Sequence, residues 1–371
     1  MVKFARRMDK IEVSGIRRMF DLVNGIKNPI DFSLGQPDFD VPEPVREAAK
    51  KAIDGGNNRY TGTQGLASLQ EKVLKHFQKK YKLARKGDKA LITAGATGGL
   101  FLASMVLIDE GDEVLIPDPY FVLYGHLVNV CHGKPVFIDT YSTQFRLTPE
   151  LVEKYITKKT KILFFNNPVN PTGIAYTRDE IRSICAVAKK HDILILSDEV
   201  YDSFCYDFPF ESALAHCDNA LLVGAFSKTF GLPGWRIGYA IGPADIIDKM
   251  TMLQQFTYVC ASSVGQQAML QGLDLDPDQW IAKSYKKKRD LAYSMLKDAF
   301  DVVKPQGAFY IYPKAPNGDA ESFVKKALDH KIIIVPGKTC SSRNSHFRLS
   351  YAVNDDVLAK GLEVLRQLAR K

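Results

Sequence analysis

A lysine that condenses with a carbonyl must spend part of its time neutral, yet a free lysine titrates near about 10.4 and is almost wholly protonated at pH 7. Lys228 stands where that can be corrected. It lies in Ala225-Phe226-Ser227-Lys228-Thr229-Phe230-Gly231-Leu232-Pro233-Gly234-Trp235-Arg236, just after the apolar run Leu221-Leu222-Val223. Burial and a neighbouring cation both push an amine's pKa down, which is what Schiff-base chemistry requires. Where the carbonyl is carried on a nitrogen heterocycle that takes up electrons, a buried carboxylate is also needed to keep the ring nitrogen protonated. Asp198 ends the strand-like run that starts at Asp192. Ligands in open α/β sheets lie beyond the carboxyl ends of strands, so Asp198 is expected to face a crevice, with Tyr201 three residues on.

Three further segments carry binding chemistry. Ala94-Gly95-Ala96-Thr97-Gly98-Gly99 follows the apparent strand Ala90–Thr93 and precedes the apolar stretch from Leu100 to Ile108. Its glycines permit close backbone approach, and a helix starting there offers free amides to a dianion. Asn167-Pro168-Val169-Asn170-Pro171-Thr172-Gly173 follows the strand-like Ile162–Phe165, and its two X-Pro bonds, either able to be cis, stiffen the loop enough to hold a donor. Arg348 sits in His346-Phe347-Arg348-Leu349-Ser350-Tyr351, where alternation suggests a strand with an inward-facing charge. That charge is costly unless an anion meets it.

Together these segments resemble the class I/II aminotransferases, aspartate aminotransferase-like members of the fold type I pyridoxal-phosphate family. Asn167 to Gly173 matches the family's Asn-Pro-x-Asn-Pro-Thr-Gly motif, and the likeness runs from Gly35 to the last helix. The resemblance implies pyridoxal 5'-phosphate as cofactor, held by Lys228 through a Schiff base, with Lys228 then acting as base. It implies Asp198 on the ring nitrogen, Asn170 and Tyr201 on the phenolic oxygen, and Phe121 stacked on the ring. Gly95, Ala96, Thr97, Ser227 and Arg236 would surround the phosphate, with Arg236 as a bidentate donor. Arg348, Gly35 and Asn170 would bind the substrate, and Tyr60 resembles the tyrosine that reaches the neighbouring subunit's phosphate in a homodimer with shared sites. Ala225 is a departure, because many relatives carry Ser or Thr three residues before the lysine; Ser227 is the candidate replacement.

The implied reaction is ping-pong transfer of an amino group from an L-amino acid to a 2-oxo acid such as 2-oxoglutarate. Aspartate or an aromatic amino acid is the expected donor, since Tyr60, Tyr120, Tyr124 and Tyr310 leave room for an aromatic side chain. A C–S β-lyase or an aminocyclopropane-carboxylate synthase-like enzyme would share Lys228, Asp198, Asn170 and Arg348. A sensor domain of a transcription regulator is the remaining alternative, disfavoured because only about thirty residues precede Gly35, too few for a winged helix-turn-helix.

Composition narrows the classes. The 371 residues carry 50 Lys and Arg against 42 Asp and Glu, a net charge of +8 that helps attract anionic substrates. The basic residues are dispersed, and clusters such as Lys286-Lys287-Lys288-Arg289 read as solvated helix faces, so no nucleic-acid partner is expected. No apolar run approaches the roughly 20 residues that span a bilayer, and no secretory segment follows Lys3–Arg7, so a cytoplasmic location is expected. The six cysteines show no CxxC spacing and are expected to be free thiols. The seven histidines form no HxxxH or HExxH pattern, so no catalytic metal is expected.

Strand-like runs near 90, 113, 135, 161, 193, 221 and 237 alternate with helical stretches, among them one opened by the capping box Thr177–Glu180 and one by Thr148-Pro149. Alternation predicts an α/β fold: a large domain with a mostly parallel seven-stranded sheet covered by helices, over residues 46–285. A long charged helix, strands at Phe309–Tyr312, Ile332–Val335 and His346–Tyr351 and a closing helix from Asp355 predict a small α+β domain over 286–371. The segment 1–45 is expected to pack with it.

Overall fold

The computed structural model describes residues 3–11, 26–82 and 85–370, the side chain of Gln279 apart, so 12–25 of the N-terminal segment lie outside the described residues. The first part of the chain gives β1 (Ile30–Asp31), α1 (Glu43–Asp54), α2 (Ala67–Tyr81), β2 (Asp88–Thr93), α3 (Gly95–Leu107), β3 (Glu113–Asp118), α4 (Leu123–Val130) and β4 (Lys134–Asp139). Then come α5 (Pro149–Tyr155), β5 (Thr160–Asn166), α6 (Arg178–Lys190), β6 (Leu194–Asp198), β7 (Ala220–Ala225), α7 (Phe226–Thr229), β8 (Gly238–Pro243), α8 (Ala244–Gln254) and α9 (Ser263–Gly272). The last part gives α10 (Asp278–Leu296), β9 (Tyr310–Ile311), α11 (Ala320–Asp329), β10 (Ile332–Ile333), β11 (Val335–Pro336), β12 (Phe347–Ser350) and α12 (Asp355–Ala369).

Seven strands form one sheet in the order β2-β8-β7-β6-β5-β3-β4, with β8 antiparallel to both its neighbours and every other pairing parallel. Parallel strands need crossovers, and the helices between them cover both faces. Accordingly β6 and β7 are buried at every position. Along β6, Leu194 and Leu196 join the core shared with α3, α4 and α8, while Ile195 joins the core on the other face with α2, α5 and α6. This two-sided burial fixes the strand's register, and with it the place where Asp198 emerges.

The expected helix starts are present. Thr177 accepts from the Glu180 amide, and Glu180 accepts from the Thr177 amide at 2.8 Å, completing the capping box of α6. Thr148 caps α5 through the Leu151 amide.

A third core gathers β9, β12, α10, α11 and α12 around Phe32. Antiparallel β11-β12-β9 forms one small sheet, and β1 pairs in parallel with β10, which seats the N-terminal segment against the C-terminal part. Residue 285 lies inside α10, so the two regions are joined there by an unbroken helix. The run Ile332–Val335 is divided between two sheets, β10 in one and β11 in the other.

One expectation is corrected. Cys185 of α6 and Cys217 are joined in a disulfide across 32 residues of sequence, with their Cα atoms 5.3 Å apart, whereas Cys131, Cys205, Cys260 and Cys340 are free. The pairing has no short-range spacing because the crossover into β7 brings the two cysteines together. Among the described residues, no helix is long and apolar enough to cross a membrane.

Candidate active site

A cavity of about 220 Å³ opens beyond the carboxyl ends of β5, β6 and β7, between the large sheet and the small C-terminal sheets. Eleven of the thirteen expected site residues line it: Gly35, Ala96, Thr97, Phe121, Asn170, Asp198, Tyr201, Ser227, Lys228, Arg236 and Arg348. Gly95 stands just behind Ala96. Tyr60 is not brought to this cavity; its side chain is 83% exposed.

Lys228 belongs to α7, the single helical turn after β7, and its Nζ donates to the Gly35 carbonyl at 2.5 Å. Burial together with the cations Arg236 and Arg348 pulls its pKa down to about 8, against the opposing pull of Asp198. Asp198 is buried at the end of β6, and burial raises its carboxyl to about 6 although the Tyr124 hydroxyl, 2.7 Å away, and the nearby Lys228 favour ionisation. The segment that carries Gly35 is held by α10. Asp38 accepts from the Tyr285 hydroxyl at 2.5 Å and pairs with Lys288 at 2.8 Å, both on α10.

Arg348 on β12 is 3% exposed. One terminal nitrogen donates to Asn170 Oδ1 at 3.2 Å, the other to the Ser33 carbonyl at 2.6 Å, and its guanidinium lies 4.8 Å over the Tyr310 ring. Its Nε is buried without a partner among the described residues. A buried cation at a cavity wall is costly unless an anion meets it there. The Asn167–Pro168 and Asn170–Pro171 bonds are both cis, as is Asp118–Pro119. Asn166 orders the loop that follows it, donating to the Asp198 carbonyl at 2.9 Å and accepting from the Asn170 amide at 2.8 Å.

The N-terminus of α3 forms a cradle. Gly95 has φ +70°, and a Cβ there would sit 2.6 Å from the Arg236 guanidinium. A Cβ on Gly238 of β8 would lie 2.7 Å from Gly95 C and 2.9 Å from the Ala96 amide nitrogen. Both glycines therefore keep open the space where Arg236 meets the first amides of α3. With Thr97 and Ser227 on the wall, donors and a cation converge as a phosphate monoester requires. Ala225 also lines the cavity, and Ser227 is the hydroxyl nearest to it in sequence.

Four residues of the site were not given these roles from sequence. Tyr124, read only as room for an aromatic substrate, is the donor to Asp198. Asn166 lies one residue before the Asn-Pro motif. The Tyr310 hydroxyl meets that of Tyr201 at 2.9 Å, and the Tyr258 hydroxyl accepts from the Ala94 amide at 3.2 Å. A signal existed for Tyr124: it follows Phe121 by only three residues, and the two rings meet edge to face with centroids 5.7 Å apart.

Fold and site define a class. The pattern of the aminotransferase class I and II family matches residues 27–365; the chain belongs to that family and is an aminotransferase. Among individual proteins it is similar to a probable aspartate aminotransferase of Methanocaldococcus jannaschii, 37% identical over 98% of each chain. It is also similar to aromatic-amino-acid aminotransferase 2 of Thermococcus litoralis, 33% identical over 98% of each. Of solved structures, the aspartate aminotransferase of Thermus thermophilus with maleate superposes with a TM-score of 0.94 at 29% identity, over 99% of this chain and 100% of the other.

Proposed function

We propose that this chain is a pyridoxal-phosphate-dependent aminotransferase that moves an amino group from aspartate or an aromatic L-amino acid to a 2-oxo acid such as 2-oxoglutarate. The observation that carries this reading is a part-buried lysine of depressed pKa sharing one cavity with a buried carboxylate, a buried arginine and a cradle of amides beside a second arginine. Lys228 would hold the cofactor by a Schiff base, with Gly95, Ala96, Thr97, Ser227 and Arg236 at its phosphate. Asp198 would hold the ring nitrogen, Asn170 and Tyr201 the phenolic oxygen, and Phe121 the ring face. The cofactor supplies an electron sink for the pair left when the substrate's α-proton departs.

The chain's own residues do the rest. Arg348 and Asn170 bind the α-carboxylate, and closure of the Gly35 segment over the cavity excludes water. At pH 7 a lysine titrating near about 8 is neutral in roughly one molecule in ten, against fewer than about one in a thousand for an ordinary lysine. Nζ of Lys228 is therefore able to take the α-proton and return it to the carbon that accepts it.

The reading extends to a large domain over 46–285 and a small one over 286–371 with the segment 1–45, to a homodimer, and to a cytoplasmic location. Support for the dimer comes from exposed Tyr60, Met252 and Phe256, on segments tied together by Gln254 bonded to the Thr63 carbonyl and Gln266 bonded to Thr61.

Borohydride reduction of the cofactor-loaded protein, followed by peptide mapping, tests the core of the reading. The expected adduct is on Lys228, with amino transfer to 2-oxoglutarate from aspartate or an aromatic donor. An unmodified Lys228, or release of pyruvate and ammonia from cysteine conjugates in place of transfer, overturns it.

A further inference from the structure

Tyr310 touches three of the groups on which this site depends. Its ring lies under the Arg348 guanidinium, its hydroxyl meets that of Tyr201, and a Cβ on Gly35 would collide with the same hydroxyl. It is itself fully buried on β9, next to Phe309 and opposite Ser350 of β12, so its ring has no freedom to turn away. Among the described residues, Tyr201 is the only hydrogen-bond partner of the Tyr310 hydroxyl.

We propose that Tyr310 is a positioning residue with two separable duties: its hydroxyl aims and strengthens the Tyr201 hydroxyl as a donor, and its ring fixes the plane of Arg348. The first duty follows from counting protons. A phenol has one hydrogen to give, so once Tyr201 donates into the cavity it meets Tyr310 only as an acceptor, and Tyr310 must be the donor. A hydroxyl that accepts one bond while donating another is a stronger donor, because chains of hydrogen bonds polarise one another. The second duty follows from geometry. Arg348 has two anchoring bonds, and the aromatic face beneath it selects the one plane that keeps both bonds and leaves the cavity-facing edge of the guanidinium open to a carboxylate.

The proposal rests on the cavity holding pyridoxal phosphate at Lys228, with Tyr201 as donor to its phenolic oxygen. Donation to that oxygen stabilises its negative charge and loosens its hold on the proton of the lysine linkage, so stronger donation means a lower pKa for the linkage. Apart from Tyr310, the titratable and charged groups facing Lys228 and Tyr201 are Arg236, Arg348 and Asp198, the last backed by Tyr124. None is altered in the variants that follow.

Wild type, Tyr310→Phe and Tyr310→Leu are loaded with pyridoxal phosphate, the near-visible absorbance of the Lys228 linkage is titrated, and KM is measured for the best amino donor. Tyr310→Phe is expected to raise the linkage pKa by about one unit, a tenfold change in proton affinity, and to leave KM within about twofold. Tyr310→Leu is expected to raise the pKa equally and KM by about tenfold, since it alone removes the aromatic face. A pKa equal to wild type in both variants overturns the hydroxyl's duty. An unchanged KM in Tyr310→Leu, or an equal rise in Tyr310→Phe, overturns the ring's. If wild type shows no linkage absorbance, it is the pyridoxal-phosphate reading that falls.

Discussion

At the scale of single residues, burial and two cations, rather than any one partner, lower the pKa of Lys228. The apoprotein should therefore capture pyridoxal phosphate at a rate that climbs almost tenfold per unit between pH 6 and 7.5 and levels above about 8, as the neutral amine accumulates. A flat profile by stopped-flow absorbance would remove the depressed amine from the account. Asp198 makes a complementary prediction. Asp198→Asn keeps the volume and deletes the charge, so the cofactor should still bind while amino transfer slows by roughly 100-fold or more, the scale of losing a well-placed charge in a dry site. Retention of full rate would mean that another carboxylate serves the ring. That Lys228, Asp198, Asn170, Arg236 and Arg348 share one cavity was legible, because each sits in a short motif or at the end of an apolar run. Tyr124, Tyr258 and Tyr310 were not, because a tyrosine's partner 74, 164 or 109 residues away in sequence leaves no local trace.

At the scale of elements, the alternation of apolar runs with amphipathic stretches specified the seven strands, since strands buried on both faces read as unbroken apolar segments. The reversed direction of β8 was not specified: an antiparallel strand buried on both sides has the same composition as a parallel one. That reversal brings Gly238 against the start of α3, and there a methyl group has nowhere to go. Gly238→Ala would place Cβ 2.7 Å from the Gly224 carbonyl and from Gly95 C, backbone that cannot swing aside. We expect a fold retained by circular dichroism with cofactor affinity reduced at least tenfold, because the amide cradle is displaced; unchanged affinity by fluorescence titration would show that the cradle tolerates the shift. The Cys185–Cys217 tether was hidden for a related reason, since crossover geometry and not spacing creates it. On a chain-entropy account, closing a loop of 32 residues contributes about 3–4 kcal/mol, so Cys185→Ser should lower the melting temperature by roughly 5 °C. Equal melting temperatures for wild type with and without reductant would contradict the tether.

At the scale of the whole molecule, Tyr60 resembles a tyrosine that reaches a neighbouring subunit's phosphate, and it stands 83% exposed and outside the cavity of its own protomer. Phe256 is 80% and Met252 53% exposed on the segments bonded to the Tyr60 loop, apolar surface that the proposed dimer would cover. The two observations have a common solution if a second copy covers this face and receives Tyr60 at its phosphate cradle. A twofold arrangement would make the exchange mutual, each chain completing the other's site. Complementation between damaged chains tests this more sharply than size alone. Lys228→Ala carries an intact Tyr60 but cannot hold cofactor, and Tyr60→Ala carries an intact lysine but lacks the donated hydroxyl. In a hybrid of the two, the site that retains Lys228 receives Tyr60 from its partner and is wild type throughout, whereas the other site carries both defects. Co-expressed and purified through two different tags, the hybrid should bind one cofactor per dimer with wild-type affinity, while the Tyr60→Ala homodimer binds two weakly. Weak binding in the hybrid, or a monomer by analytical ultracentrifugation, would return Tyr60 to the ordinary surface.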